Sequence, residues 1–219
     1  MLNKIYNWLH KSTSKCDERN EYSAGYWQNQ VRQAALLYCK NMNGRILEVG
    51  CGEGLFLAEL AKANPGLECV GVDNNQERVS QSQARVKEAG LSNVNISYAD
   101  AKGLKFNDSY FDAVACINVF FNLPSLEVVN SVLKEICRVS KSSGRIIFDV
   151  RNAGNPLLKI KYKLAPFYDP TVKNLPLNTY NFSQVKKMLQ ECRLKLIDFK
   201  FIGFPKNMFS PIIIFKAQK

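Results

Sequence analysis

Short apolar runs rich in β-branched residues alternate along this chain with longer segments in which apolar residues recur every three or four positions. Switching between a period of two and a period of 3.6 marks βαβ units, and hence a parallel sheet covered by helices. RILEVG (45–50) reads as the first strand and LFLAELAKA (55–63) as the helix after it. LECVGVD (67–73) and VNISYAD (94–100) are the second and third strands, flanking a helix QERVSQSQARVKEAG (76–90) that Gly90 would stop. FDAVACINV (111–119) is a fourth strand, SLEVVNSVLKEICRVS (125–140) a helix and GRIIFDV (144–150) a fifth strand.

From 151 to 179 the period is lost, and Pro156, Pro166, Pro170 and Pro176 argue against any long regular element. A segment of that length inside a compact domain points to a functional or mobile insertion. Within it, LLKIKYKLAPFY (157–168) alternates Leu158, Ile160, Tyr162 and Leu164 with Lys159, Lys161 and Lys163. Such a strip would lay its apolar side over an acceptor and present three ammonium groups to phosphate, carboxylate or an anionic membrane surface. The plainer alternative is a solvated charged face. A helix (about 183–192) and the strands RLKLIDFKFIG (193–203) and PIIIFKA (211–217) follow, the two strands close enough to pair antiparallel through the turn near Pro205 and Asn207. At the front, residues 1–42 read as helical cover, with Leu2, Ile5, Tyr6 and Leu9 at helical spacing. A single domain therefore divides into a cover (1–42), a ligand-binding core (43–150), a lid insertion (151–179) and a final helix with two strands (180–219).

Composition changes this picture in two places. The 219 residues are 46% hydrophobic and 22% charged, globular proportions for one α/β domain. The formal net charge is +11, yet residues 151–219 hold 13 Lys or Arg against three acids while residues 1–150 are nearly balanced. That asymmetry points to an anionic partner. Seven scattered cysteines form no CxxC pair, which argues against zinc sites, redox dithiols or any bound metal. Cys116 and Cys137 fall in apolar runs and read as small core residues. MLNKIYNWLHK lacks the features of a signal peptide, and no stretch approaches the ~20 apolar residues of a membrane span, so a cytoplasmic protein is expected.

The chemistry centres on ILEVGCGEG (46–54), which places Gly50, Gly52 and Gly54 directly between a strand and a helix. Glycine lets the backbone turn sharply and a ligand approach closely. A dinucleotide loop follows GxGxxG, whereas here the third glycine comes one residue early and Leu55 occupies its position. Glu48 and Glu53 would also repel a pyrophosphate. Acids in this loop suit a ligand carrying an ammonium and a sulfonium but no phosphate. Asp73 ends the second strand, where a carboxylate can accept from both hydroxyls of a ribose, and Asp100 ends the third, within range of an adenine edge. Taken singly, each acid is also a plausible helix cap.

On these residues the chain resembles the class I S-adenosylmethionine-dependent methyltransferases. ILEVGCGEG matches the family's first motif, GVD (71–73) its second-strand acid, and YADAKGLKFNDSYFDAVACINVF (98–120) the run holding the adenine-contacting acid and the fourth strand. KEICRVSKSSGRIIFDV (134–150) resembles the following helix, turn and fifth strand. The resemblance implies a Rossmann-like, mostly parallel seven-stranded sheet with helices on both faces and an antiparallel last strand inserted beside the fifth. It implies S-adenosyl-L-methionine as cofactor. Glu48 and the loop backbone around Gly50 and Gly52 would face the methionine end, Asp73 the ribose, Asp100 with the Ala101 amide the adenine, and Asn118 the sulfonium, with Cys51, Gly54 and Asn74 as further cofactor-binding residues. The chain departs from the family pattern at SKSSG (140–144), in place of a proline-glycine-glycine turn, and at FFN (120–122), where many relatives have a histidine.

Displacement at a sulfonium methyl needs alignment more than acid–base work, and a base only when the acceptor must lose a proton. The sole histidine, His10, lies outside these motifs, so a histidine base is not expected unless the N-terminal cover folds over the pocket. Tyr22, Tyr26 and Trp27 either line an acceptor site or pack helices, and Asn122 joins the acceptor candidates with Lys159, Lys161 and Lys163. The expected acceptor is a small or lipid-linked, anionic molecule. RNA is the alternative suggested by the basic C-terminal third, although the fourth strand is not followed by the proline-containing motif of base methylation. A non-catalytic cofactor-binding protein is the remaining alternative.

Overall fold

A computed structural model describes residues 26–164 and 176–219. Leu2, Ile5, Tyr6, Leu9, His10, Cys16, Tyr22, Pro166 and Pro170 lie outside the described residues. Seven strands, β1 (Gly44–Val49), β2 (Leu67–Asp73), β3 (Val94–Tyr98), β4 (Phe111–Cys116), β5 (Ser140–Arg151), β6 (Lys195–Ile202) and β7 (Ile212–Gln218), form one sheet. Their order is β3-β2-β1-β4-β5-β7-β6. The first five run parallel, and β7 lies antiparallel between β5 and β6. This is the Rossmann-like sheet that the sequence implies, including the inserted last strand.

The helices are α1 (Tyr26–Tyr38), α2 (Leu55–Ala63), α3 (Gln76–Glu88), α4 (Leu126–Val139), α5 (Pro156–Leu164) and α6 (Phe182–Glu191). They cover both faces, which explains why the central strands read as unbroken apolar runs rather than alternating ones. Successive residues of β1, β4 and β5 still part to opposite sides. Leu47, Val114, Cys116, Ile146 and Phe148 join Val129, Leu133, Ile136 and Val185 of α4 and α6. Ile46, Ala113, Ala115 and Ile147 join Val31, Ala35, Leu57, Leu60 and Val79 of α1, α2 and α3. Cys116 and Cys137 are buried in the first of these cores. Burial pushes the thiols of Cys39 and Cys69 up to about 12, so these cysteines act as small hydrophobes. Gly90 stops α3 as expected, with a left-handed φ of 64° and its amide on the Lys87 carbonyl.

Two expectations are corrected. β5 begins at Ser140 rather than residue 144, because Phe111 pairs with Ser140 before the register shifts and Ala113 pairs with Arg145. SKSSG is thus a bulged strand entry instead of a simple turn. The strip from Leu157 to Leu164 is a helix and does not alternate. Pro156 occupies its first position, where a missing N–H costs nothing, and the Asn155 side chain accepts the Leu158 amide at 2.7 Å. Winding the strip at 3.6 residues per turn leaves the three lysines on no common face. Leu158 turns into the core, while Lys159 and Lys163 are exposed.

Candidate functional site

Strand order reverses direction between β2-β1 and β4-β5, and a crevice opens beyond the carboxyl ends at such a point. The loop leaving β1 builds its floor. Gly50 and Cys51 both donate their amides to the Val72 carbonyl, at 2.8 and 3.0 Å, which ties the loop to β2. Gly50, Gly52 and Gly54 have φ values of 76°, 51° and 76°, in the left-handed region that side chains disfavour. Room is short as well: a Cβ on Gly50 would sit 2.5 Å from Val119 Cγ2, and one on Gly54 would sit 2.2 Å from Ser82 Oγ.

The resulting cavity is about 500 Å³. It is lined by Glu48, Gly50, Cys51, Gly52, Asp73, Asn74, Ala101 and Asn118 of the expected cofactor residues, and by Asn122 of the expected acceptor residues. Gly54 stands behind the loop as the residue that starts α2. Asp100 is not part of the wall: its side chain is half exposed, accepts the Lys102 amide at 2.9 Å and pairs with Lys102 Nζ at 3.4 Å. Its neighbours Ala99 and Ala101 line the cavity instead. Tyr26 and Trp27 also stand off the wall, while Gln28 and Arg32 on the same helix reach it. The Trp27 ring receives Lys161 Nζ at 4.1 Å from its centroid, tying α5 to α1. Tyr22 lies outside the described residues.

Two acids dominate the electrostatics. Glu48 is 3% exposed and its Oε2 has no hydrogen-bond partner. Burial raises its pKa well above the ordinary carboxylate range; the Asp73 charge adds to the rise and the Arg32 guanidinium opposes it. A buried, unpartnered carboxyl on a cavity wall is unfavourable as it stands and becomes favourable when a cationic donor arrives. Asp73 is differently engaged: Oδ2 accepts the Gly52 amide and Oδ1 the Asn75 amide, both at 2.9 Å. It therefore shapes the glycine loop, and each oxygen keeps a lone pair for a ligand hydroxyl. The cap of α3 falls to Asn75, which accepts the Arg78 amide.

In the turn after β4, Asn118 adopts a left-handed φ of 58° and is held by two residues of β5. Its amide donates to Asp149 Oδ1, and its side-chain oxygen accepts from Arg151 Nη2 at 3.1 Å. Arg151 stacks over the Phe121 ring at 4.0 Å and donates from Nε to the Tyr162 hydroxyl of α5 at 3.2 Å. Sequence reasoning missed Gln28, Arg32, Asp149 and Arg151. The last two carried a signal: Asp-Val-Arg at the end of an apolar strand puts two opposite charges on one side of it. Asn122 is the second lining residue with an unsatisfied buried atom, its Oδ1 without a partner on the wall. The site thus offers an unpartnered carboxyl oxygen from Glu48 and an unpartnered amide oxygen from Asn122, and among the described residues Arg32 and Arg78 are the basic side chains that line it.

A family model described as a methyltransferase domain matches residues 46–144. The chain is 28% identical over 148 residues to a phosphatidylethanolamine N-methyltransferase of Cereibacter sphaeroides, covering 67% of this chain and 71% of the relative. It is 32% identical over 104 residues to a demethylmenaquinone methyltransferase of Anoxybacillus flavithermus, covering 47% of this chain and 43% of the relative. The chain thus spans less than half the length of the second. The fold is similar to that of a magnesium protoporphyrin IX methyltransferase from Synechocystis, crystallised with bound S-adenosylhomocysteine, with a TM-score of 0.70. That pair is 14% identical and covers 99% of this chain and 94% of the other.

Proposed function

We propose that the chain, as a class I S-adenosylmethionine-dependent methyltransferase, methylates a small, lipid-linked acceptor. The observation that carries the cofactor half of this reading is the buried Glu48 carboxyl, its Oε2 without a partner, beside a loop with no room for a side chain at Gly50 or Gly54. Glu48 receives the ammonium of the methionine moiety, and the positive charge of Arg32 complements its carboxylate. Asp73 accepts from the ribose through the lone pairs left by the Gly52 and Asn75 amides. Ala99 and Ala101 provide a flat, apolar wall for the adenine, and the exposed Asp100 acts through the turn it makes with Lys102.

S-adenosylmethionine supplies a methyl group activated by a sulfonium, which leaves as a neutral thioether when the acceptor attacks. The protein's own task is alignment. Asn118, immobilised by Asp149 and Arg151, fixes the wall of the cavity beside the reacting centre, and the Asn122 oxygen accepts a hydrogen bond from the acceptor's N–H or O–H. Cys51 is an unsuitable nucleophile, because burial drives its thiol far above the ordinary range.

Support for a lipid-linked acceptor comes from the acceptors for which the relatives are named, phosphatidylethanolamine and demethylmenaquinone. The test is a two-stage one. Calorimetry should show S-adenosylhomocysteine binding and NAD not binding; tighter binding of NAD would overturn the cofactor assignment. Transfer of labelled methyl to organic-extractable lipid, but not to RNA or to water-soluble amines, is the result expected for the acceptor. Label confined to RNA would replace it with the nucleic-acid reading.

A further inference from the structure

Helix α5 presents a second, outward face that the site does not use. Leu157, Ile160 and Leu164 are 72%, 57% and 50% exposed, and their spacing of three and four places them on one side of the helix. The β6–β7 loop adds Phe204 at 91%, Met208 at 68% and Phe209 at 50%. These two segments are fastened together. Asn152 donates to the Met208 and Ser210 carbonyls and Asn155 to the Phe209 carbonyl, all within 2.8 Å, so the loop is pinned to the turn that starts α5. Six large apolar side chains left to solvent on adjoining segments call for a partner.

Charge says which partner. Lys159 and Lys163 are exposed on α5 and Lys206 in the loop, while no Asp or Glu occurs from residue 150 to 168 or from 199 to 219. A second copy placed symmetrically on this face would bring lysines against lysines. An RNA would neutralise the lysines but leave the apolar side chains without use. A bilayer surface satisfies both, with apolar groups below the headgroups and ammonium groups among anionic ones. Nine residues of helix make about 13 Å, far too short to span a bilayer, and among the described residues no helix is long and apolar enough to do so.

We infer that α5 and the β6–β7 loop form a membrane-docking face that seats the protein on anionic phospholipid surfaces. Arg151 joins this face to the site, bonding both Tyr162 on α5 and Asn118 on the cavity wall. That the acceptor enters from the docked bilayer rests on the lipid-linked reading above, whereas the docking itself does not.

Flotation of the full chain with vesicles of phosphatidylcholine, alone or mixed with phosphatidylglycerol, tests the inference. Binding to the mixed vesicles is expected, weakened but not abolished by salt. Combined Phe204→Ser, Met208→Ser and Phe209→Ser, or separately Leu157→Ser with Ile160→Ser, should weaken it by about tenfold or more, with S-adenosylhomocysteine affinity and the thermal midpoint retained. Lys159→Gln with Lys163→Gln should flatten the salt dependence. No binding by the parent, or undiminished binding by both folded serine variants, overturns the inference. So does a parent dimer that the serine variants dissolve, or salt-sensitive binding to tRNA without binding to vesicles. The vesicles contain no methyl acceptor, so docking is read independently of turnover: a protein that docks but transfers no methyl to lipid in the separate labelled-transfer assay sinks the acceptor reading alone, and one that methylates lipid there without docking sinks the docking alone.

Discussion

Arg151 Nη1 lies 2.6 Å from Asp149 Oδ2, with the two side chains 2% and 0% exposed, and both residues bond the Asn118 that lines the cavity. Two residues apart on β5, they share one side of the strand and close a network that runs from the sheet to α5. Burial raises the Asp149 pKa even though Arg151 and the Asn118 amide pull it down. The pair is therefore a costly element held in place by geometry, and the residue it immobilises sits on the cavity wall.

Arg151→Met should destabilise the fold by about 3–5 kcal/mol at neutral pH, because it leaves the Asp149 carboxylate buried without its partner. The sign of the pH dependence follows from the raised pKa: a group easier to protonate in the folded than in the unfolded state contributes stability at low pH that is lost as pH rises. Removing Arg151 raises it further, so the variant's deficit should shrink on acidification. Adding Asp149→Leu should recover most of the loss. Denaturant titrations of both single variants and the double variant at two pH values check this, and additive losses would mean the pair is not coupled.

Asp73→Ala should lower stability as well as cofactor affinity, each by about 1.5–3 kcal/mol. The Gly52 and Asn75 amides both donate to this carboxylate, and the Gly52 bond is buried, so truncation orphans a donor inside the loop. Asp73→Asn should keep part of the stability and less of the affinity. A variant that binds S-adenosylhomocysteine like the parent would show that the ribose does not use Asp73.

Cofactor binding should carry a proton. In the free protein the Glu48 pKa is raised by burial, so its carboxyl stays protonated above the usual carboxylate range. A ligand ammonium favours the carboxylate, and the proton leaves on binding. Affinity for S-adenosylhomocysteine should therefore rise with pH through the raised range of Glu48 and level off above it. Calorimetry in two buffers of different ionisation enthalpy would read the released proton. Glu48→Gln should abolish that release and weaken binding by about 10- to 100-fold; unchanged proton release would assign it elsewhere.

The glycine loop was legible because its geometry is local. ILEVGCGEG places glycines where φ must be positive, and the structure has all three there. The sheet order was legible through resemblance, since nothing in PIIIFKA itself says that it inserts between β5 and β6. What stayed hidden depended on one rotamer or on distant packing. Asp100 differs from a ligand-facing acid only in turning to the Lys102 amide. Asp149 and Arg151 read as strand-end charges until β5 is set beside the turn carrying Asn118. For α5, alternation of Leu, Ile and Lys fits a strand, but Asn155 and Pro156 ahead of it are a helix start that outweighs the alternation.

In the reading proposed above, Asn122 holds the acceptor. It belongs to the 3₁₀ turn Phe120–Asn122, and that turn is pinned from several sides: Asn178 donates its amide to the Phe121 carbonyl at 2.8 Å, and the Tyr180 hydroxyl donates to the Phe120 carbonyl at 3.1 Å. A rigid turn presenting a buried amide oxygen with no partner is a prepared acceptor for one ligand N–H or O–H. In the proposed reading the Asn122 amide orients the acceptor, and an amide cannot remove a proton. Asn122→Ala should lower kcat/KM for the acceptor by about 1–2 kcal/mol in barrier, roughly 5- to 30-fold, while S-adenosylhomocysteine affinity stays at the parent value. The pH–rate profile should keep its shape, since an amide does not titrate. Loss of cofactor affinity in place of acceptor turnover would move Asn122 to the cofactor side of the cavity, and a changed pH profile would mean that it works by positioning a titrating group.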